Sequence, residues 1–236
     1  KRFRAIAHSA GGTINDVVLA VCSGALRRYL DELDQLPDRS LIAAVPFALP
    51  HDESEKTGNA VSGLNANLGT NIADVRKRFD SIRRSTEAGK SHLRKMTAVA
   101  AQRYMLFMAA PVMLTTLPGF GGQLRPTFNL VITNVPGPKK RLYFHGARME
   151  SFYPVIQAGQ GLALNIGLIS YADRLFFGPI ACPDTVPDLD KLAAYMADAL
   201  DELELAYGIA TPGKSSKRVG RSQHKKRTAR TPSKKK

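Results

Sequence analysis

Apolar residues at Ile14, Val17, Val18, Val21, Cys22, Ala25, Leu26, Tyr29, Leu30 and Leu33 fall at the i, i+3, i+4, i+7 spacing of a helix with one buried face. The helix opens after Gly11-Gly12-Thr13 and stops before Pro37. Thr13 is suited to the N-cap, and Asp16, three residues on, is a shorter version of the capping-box acid. A second amphipathic helix is predicted over Ala73–Ala88, with Val75, Phe79 and Ile82 inward. Ala98–Leu117 reads as a more apolar helix, bent or broken at Pro111. Asp188–Ala206 closes the body as a helix, with Leu189, Leu192, Ala193, Met196, Leu200, Leu203 and Leu205 mostly on one stripe.

Between the helices the period shortens. Leu41–Leu49 reads as a buried strand punctuated by Pro46 and closed by Pro50, followed by a polar surface loop, His51–Asn59. Val61–Thr70 is a weaker strand, because polar residues occupy positions where apolar ones are expected. In the last third, Thr127–Val135, Leu142–Phe144, Arg148–Tyr153, Leu162–Tyr171 and Leu175–Ile180 read as strands. Ala172-Asp173-Arg174 forms a short hairpin connection between the last two. No internal repeat is visible. The alternation predicts an α/β (α+β) fold, a mixed sheet flanked by helices.

Composition sharpens this picture in three places. The chain has 236 residues, 44% hydrophobic and 23% charged, which supports a sizeable core and argues against global disorder. Cys22 and Cys182 stand far apart without C-x-x-C spacing, which excludes a disulfide framework and fits a reducing compartment. The net charge of +14 is local: residues 211–236 hold eleven Lys/Arg and no acid, so the other 210 carry only +3. Two parts are expected, a body over 1–210 and a disordered basic tail over 211–236. The chain starts at Lys1 without Met, which suggests a piece of something longer or a processed product, and no secretory signal pattern opens it. The charge-free stretch Tyr104–Leu124 contains Pro111, Pro118 and three glycines, and its clean apolar run, Tyr104–Leu117, is 14 residues. That is short of the roughly 20 needed to span a bilayer, so a buried or interfacial helix is expected.

Chemistry is harder to locate. The five histidines, at 8, 51, 92, 145 and 224, share no helix face with a His, Cys or acid at ligand spacing, so a metal site has little support. His8 and His145 stand beside structured segments and are weighed as general bases, against the commoner reading of ordinary hydrogen-bonded residues. No G-x-S-x-G elbow is present, and Gly159-Gln160-Gly161 lacks the third glycine and helix of a dinucleotide site. Gly11-Gly12 before a helix could bind an anion, although a turn feeding a cap explains them better. Asn15-Asp16 in the helix's first turn is more informative. Asp16 complements the macrodipole, but Asn15 is not needed for capping. The segment Asn134-Val135-Pro136-Gly137-Pro138 ends a strand with a rigid turn and carries a polar Asn to the end of a buried strand.

Four blocks then fall in a familiar order. Thr13–Ala20 (TINDVVLA), Phe128–Pro138 (FNLVITNVPGP), Gly161–Pro179 (GLALNIGLISYADRLFFGP) and Asp184–Glu202 (DTVPDLDKLAAYMADALDE) resemble the bacterial wax ester synthase/diacylglycerol acyltransferases over about residues 5–207. The resemblance implies a chloramphenicol-acetyltransferase-like fold of two pseudo-related α/β halves with the active-site channel between them. It also implies transfer of a fatty acyl group from acyl-CoA, a substrate rather than a resident cofactor, to diacylglycerol or a long-chain alcohol. The family's His-His-x-x-x-Asp-Gly motif is absent from these residues, so the chain matches the C-terminal half, with the N-terminal half as an expected partner. Asn15, Asp16, Asn134, Pro136 and Gly137 are the residues expected to line the channel, with no catalytic residue on this side. Long apolar substrates imply a cytoplasmic protein with peripheral contact at the inner membrane face or lipid droplets. The basic tail and the Tyr104–Leu117 helix are candidates for that contact. Two other readings compete: a non-catalytic relative, and a nucleic-acid module built on the tail. Against the second, no aromatics interleave the tail's charges and the body is nearly neutral.

Overall fold

The computed structural model describes residues 1–48, 61–114, 127–156 and 161–209. The predicted loop His51–Asn59, the end of the predicted helix at 115–117, Gly159-Gln160 and the basic tail lie outside the described residues. The chain opens with a helix missing from the sequence reading, α1 (Arg2–Ser9), which buries Ile6 and Ala7. Then come α2 (Ile14–Glu32), β1 (Ile42–Ala48), β2 (Val61–Asn67), α3 (Val75–Arg94), α4 (Ala98–Leu114), β3 (Leu130–Val135), β4 (Tyr143–Phe144), β5 (Ala147–Arg148), β6 (Leu164–Tyr171), β7 (Arg174–Ala181) and α5 (Leu189–Ala206).

Five strands form one mixed sheet in the order β2-β1-β3-β6-β7. β1, β3 and β6 run parallel at its centre, while β2 and β7 pair antiparallel at the edges. Strand alternation sends Ala43, Val45, Leu64, Ala66, Leu130, Ile132, Leu164, Ile166 and Leu168 to one face. There they share a single core with Val17, Val18, Leu19 and Val21 of α2, Phe79 and Ile82 of α3, and Leu192 and Leu203 of α5. α2 is buried along most of its length because α1, α3 and α5 all pack around it. Its polar side chains are spent on fastening: Ser23 Oγ donates to Leu68 O at 2.5 Å, Arg27 Nη1 to Thr70 O at 2.7 Å, and the Tyr29 hydroxyl to Pro187 O.

The opposite face is covered differently. The strap 149–156 crosses it without regular secondary structure, over the cross-strand pair Gly167↔Gly178. A Cβ on Gly178 would stand 2.2 Å from Pro154 O, and one on Gly167 2.6 Å from Ile156 Cδ1. The two glycines therefore form a trough that only bare backbone can provide. Beside it Ile169, Tyr171 and Phe176 form a small second cluster with Met149.

Several sequence expectations are met and others corrected. The mixed sheet flanked by helices is present, and Ala172 makes the predicted tight connection with φ +53°. α4 continues through Pro111 to Leu114 rather than breaking there. The missing N–H of Pro111 costs one hydrogen bond, which the helical run on either side of it tolerates. The predicted strand Arg148–Tyr153 survives only at Arg148. Beyond it the chain leaves the two-stranded hairpin and becomes the strap. The polar strand β2 pairs along its whole length with β1; as an edge strand it needs only one apolar face. Among the described residues, no single helix is long and apolar enough to cross a membrane. The bent pair α1 and α2 passes by composition, but α2's apolar residues are those of the core.

Candidate functional site

The N-terminus of α2 is built by a complete capping box. Thr13 takes an extended conformation, its Oγ1 accepts from Asp16 N at 3.2 Å, and Thr13 N donates to Asp16 Oδ2 at 2.8 Å. Asp16 Oδ2 also accepts from Thr13 Oγ1 at 2.7 Å, and its Oδ1 lies 2.8 Å from Thr86 Oγ1 on α3. With the side chain 98% buried, both carboxylate oxygens of Asp16 are committed to Thr13 and Thr86. The acid thus joins the start of α2 to the middle of α3. It also fills the place an external anion would take at this helix end, so Gly11-Gly12 serve as the turn feeding the cap. Gly12 is needed for space, since a Cβ there would stand 2.8 Å from the Phe79 ring. Asn15 next to it is half-buried, and its carboxamide makes no hydrogen bond among the described residues.

The exit of β3 forms the second half of the candidate site. Asn134 shares a face with Leu130 and Ile132 by alternation and lies opposite Leu168 of β6. It is half-buried, where the two core positions before it are fully covered. Gly137 N donates to Ser170 Oγ at 3.0 Å, and Ala172 N to Pro138 O at 2.9 Å. A Cβ on Gly137 would lie 2.1 Å from Ser170 O, so the turn closes on β6 only with glycine at this position. Pro136 is exposed. The two groups, Asn15-Asp16 and Asn134–Pro138, are anchored to the same core, but no hydrogen bond joins them. Each stands as a rigid polar edge of the helical layer and the sheet.

Of the other titratable groups, four bear on the site. His8 and His145 are both exposed, one in the last turn of α1 and one at φ +46° in the β4–β5 turn. Arg78 is buried and donates to Ile72 O at 2.9 Å and Ala73 O at 3.1 Å; burial holds its pKa below the ordinary arginine value. Cys22 is sealed in α2, and burial pushes its thiol up to about 12, which leaves it protonated and unreactive. Among the described residues no group of three His, Cys, Asp or Glu is placed to hold a metal ion. Sequence reading missed Thr86, the partner that explains Asp16, and Tyr171, whose hydroxyl accepts from Leu142 N at 2.8 Å and donates to Met149 O at 3.0 Å. Both contacts are long-range and leave no local signal.

Comparison with known proteins places this architecture. Residues 57–204 match the model of the WS/DGAT C-terminal domain. A Mycobacterium tuberculosis protein, provisionally named a diacylglycerol O-acyltransferase, is 44% identical over 215 residues, covering 90% of this chain and 43% of its own length. O-acyltransferase WSD of Acinetobacter baylyi is 41% identical over 208 residues, 88% of this chain and 44% of its own. Among solved structures, the wax ester synthase/diacylglycerol acyltransferase from Marinobacter aquaeolei VT8 superposes with a TM-score of 0.76 at 38% identity, over 88% of this chain and 47% of that one. A condensation domain of the enacyloxin polyketide synthase shares the fold at a TM-score of 0.52 and 16% identity, over 91% of this chain and 40% of that one. The chain spans less than half the length of these relatives. Sequence blocks, sheet order and superposition agree that the chain belongs to the wax ester synthase/diacylglycerol acyltransferase family and corresponds to its C-terminal domain.

Proposed function

We propose that these residues form one wall of an O-acyltransferase that moves a fatty acyl group from acyl-CoA to the hydroxyl of diacylglycerol or a long-chain alcohol. The observation that carries this reading is the continuous match of the folded body to a wax ester synthase/diacylglycerol acyltransferase at 38% identity. A free alcohol is a poor nucleophile, so a positioned base must take its proton as the ester bond forms and the CoA thiolate departs. Among the described residues His8, His92 and His145 are all exposed, and the base is assigned to the N-terminal half of the complete enzyme. This half contributes shape and hydrogen-bond donors. The Asn15 carboxamide has no hydrogen-bond partner among the described residues, and its N–H groups suit a developing oxyanion or an acceptor hydroxyl. Asp16 positions it through the cap and Thr86. Asn134 and the Pro136-Gly137 turn shape the same channel from the sheet. Such substrates also call for peripheral contact with a lipid surface.

The test restores the N-terminal half from the Acinetobacter relative and measures transfer from palmitoyl-CoA to dioleoylglycerol and to hexadecanol. Transfer is expected from the completed protein and not from the 236 residues alone. In the completed enzyme Asn15→Ala should lower kcat about 100-fold or more, the range seen for removal of a transition-state donor, with melting unchanged. Unaltered turnover removes Asn15 from the site.

A further inference from the structure

The β4–β5 hairpin has an exposed aromatic tip that nothing in the proposed acyl-transfer chemistry uses. Tyr143 and Phe144 are 64% and 78% exposed, the neighbouring Leu142 is also exposed, and among the described residues Phe144 stacks edge-on only against His145. The turn His145-Gly146 has positive φ at both residues, +46° and +79°, as the tight two-residue hairpin turn requires. A two-stranded hairpin is marginal on its own, but this one is clamped at its base. Met149 N donates to Leu142 O at 3.0 Å, and the Tyr171 hydroxyl bridges Leu142 N and Met149 O. The aromatic pair is therefore held out rigidly.

The flanks are basic. Lys139, Lys140 and Arg141 precede the hairpin, all exposed, and none is in an ion pair among the described residues. Arg148 lies opposite Tyr143 and is paired with Glu150. Arg141, Arg148 and Arg174 line a shallow open recess at the hairpin's foot, together with Glu150 and Asp173. Across residues 139–150 the formal charge is +3. Aromatic side chains at a tip, backed by lysine and arginine one turn of chain away, match the depth profile of a bilayer surface: apolar below, phosphate above. A protein partner would be expected to meet the aromatics with an apolar socket, and three unpaired cations beside it would then be desolvated at a cost.

We infer that the β4–β5 hairpin is a lipid-surface anchor, its Tyr143-Phe144 tip entering the acyl boundary and Lys139, Lys140 and Arg141 resting on anionic headgroups. The inference rests on the lipid-handling reading above, but its test does not use acyl transfer, so either can fail alone.

The chain has no tryptophan, so Phe144→Trp in the full chain introduces a single reporter at an exposed position. With vesicles of phosphatidylcholine and phosphatidylglycerol, its emission should move to the blue and be quenched by lipids brominated on the acyl chain. Pure phosphatidylcholine should give a much smaller shift. Adding Lys139→Gln, Lys140→Gln and Arg141→Gln should raise the lipid concentration for half-maximal shift at least about tenfold. If the chain sediments with anionic vesicles while emission stays unchanged, the basic tail alone binds and the proposal is overturned. An indole already blue-shifted and shielded from iodide before lipid is added means that protein covers the tip, which overturns it too.

Discussion

Removing the Asp16 carboxylate should separate its two neighbours by a measurable amount. In Asp16→Ala, α2 loses its reciprocal cap, worth about 1 kcal/mol. It also loses a buried charge-assisted hydrogen bond to α3, worth about 1.5–3 kcal/mol. Thr86 is not orphaned, because its hydroxyl lies 3.0 Å from Arg83 O and can donate there instead. The expected total is about 2–4 kcal/mol, which lowers the melting temperature of a body this size by roughly 5–15 °C. Asp16→Asn should cost only about 1 kcal/mol: its oxygen still accepts from Thr13, and its amide donates to a Thr86 hydroxyl that turns to Arg83 O. Thr86→Val removes the same interhelical bond from the other side. Urea melts followed at 222 nm on the two single variants, Asp16→Ala and Thr86→Val, and their double should give a coupling energy of about 1–2 kcal/mol. A coupling within about 0.5 kcal/mol of zero would refute the Asp16–Thr86 link between α2 and α3, as would an Asn variant as damaged as the alanine one.

Gly137→Ala should destabilise by about 1–3 kcal/mol or displace the turn, since the new methyl would meet Ser170 O; proton-exchange protection of the amide at position 137, read by NMR, should fall with it. Arg2→Ala removes exposed bonds from α1 to Asp201 and Glu204 on α5, and a loss below about 1 kcal/mol is expected in the same melts, shrinking with added salt. Cys182 should react with a thiol reagent at pH 8 in the native protein, whereas Cys22 should react only in denaturant. The Cys22 contribution to stability is full below about pH 9 and lost as pH climbs through about 12, because the unfolded thiol ionises first. Equal labelling of both cysteines without denaturant would contradict that burial.

Much of this arrangement can be read from the chain because the periodic elements are long. α2 and α5 carry apolar stripes over five turns, and β6 and β7 alternate around a short turn, so their existence follows from local spacing. α1 is one short turn-pair with only Phe3, Ile6 and Ala7 to mark it, and its worth lies in what it touches: Phe3 against Phe177, 5.9 Å between rings. The strap is invisible for the opposite reason. SFYPVI alternates well enough for a strand, but it lies across the sheet over the Gly167↔Gly178 trough, which offers a place for main chain without ladder bonds. At the candidate site, the residue types at positions 15, 16 and 134 signal polar groups in apolar settings. Which of them faces inward depends on Thr86, seventy residues away from Asp16, and no pattern in the sequence announces that pairing.

The link from β3 to β6 joins parallel strands, a job usually given to a helix laid across the sheet. Here a clamped hairpin and a flat ribbon do it, and they take up far less height than a helix. Among the described residues α2, α3 and α5 share the core on one face of the sheet, and the strap lies on the other as a single thickness of main chain. A second body settling on the strap side would stand one main-chain thickness above the strands at Gly167 and Gly178.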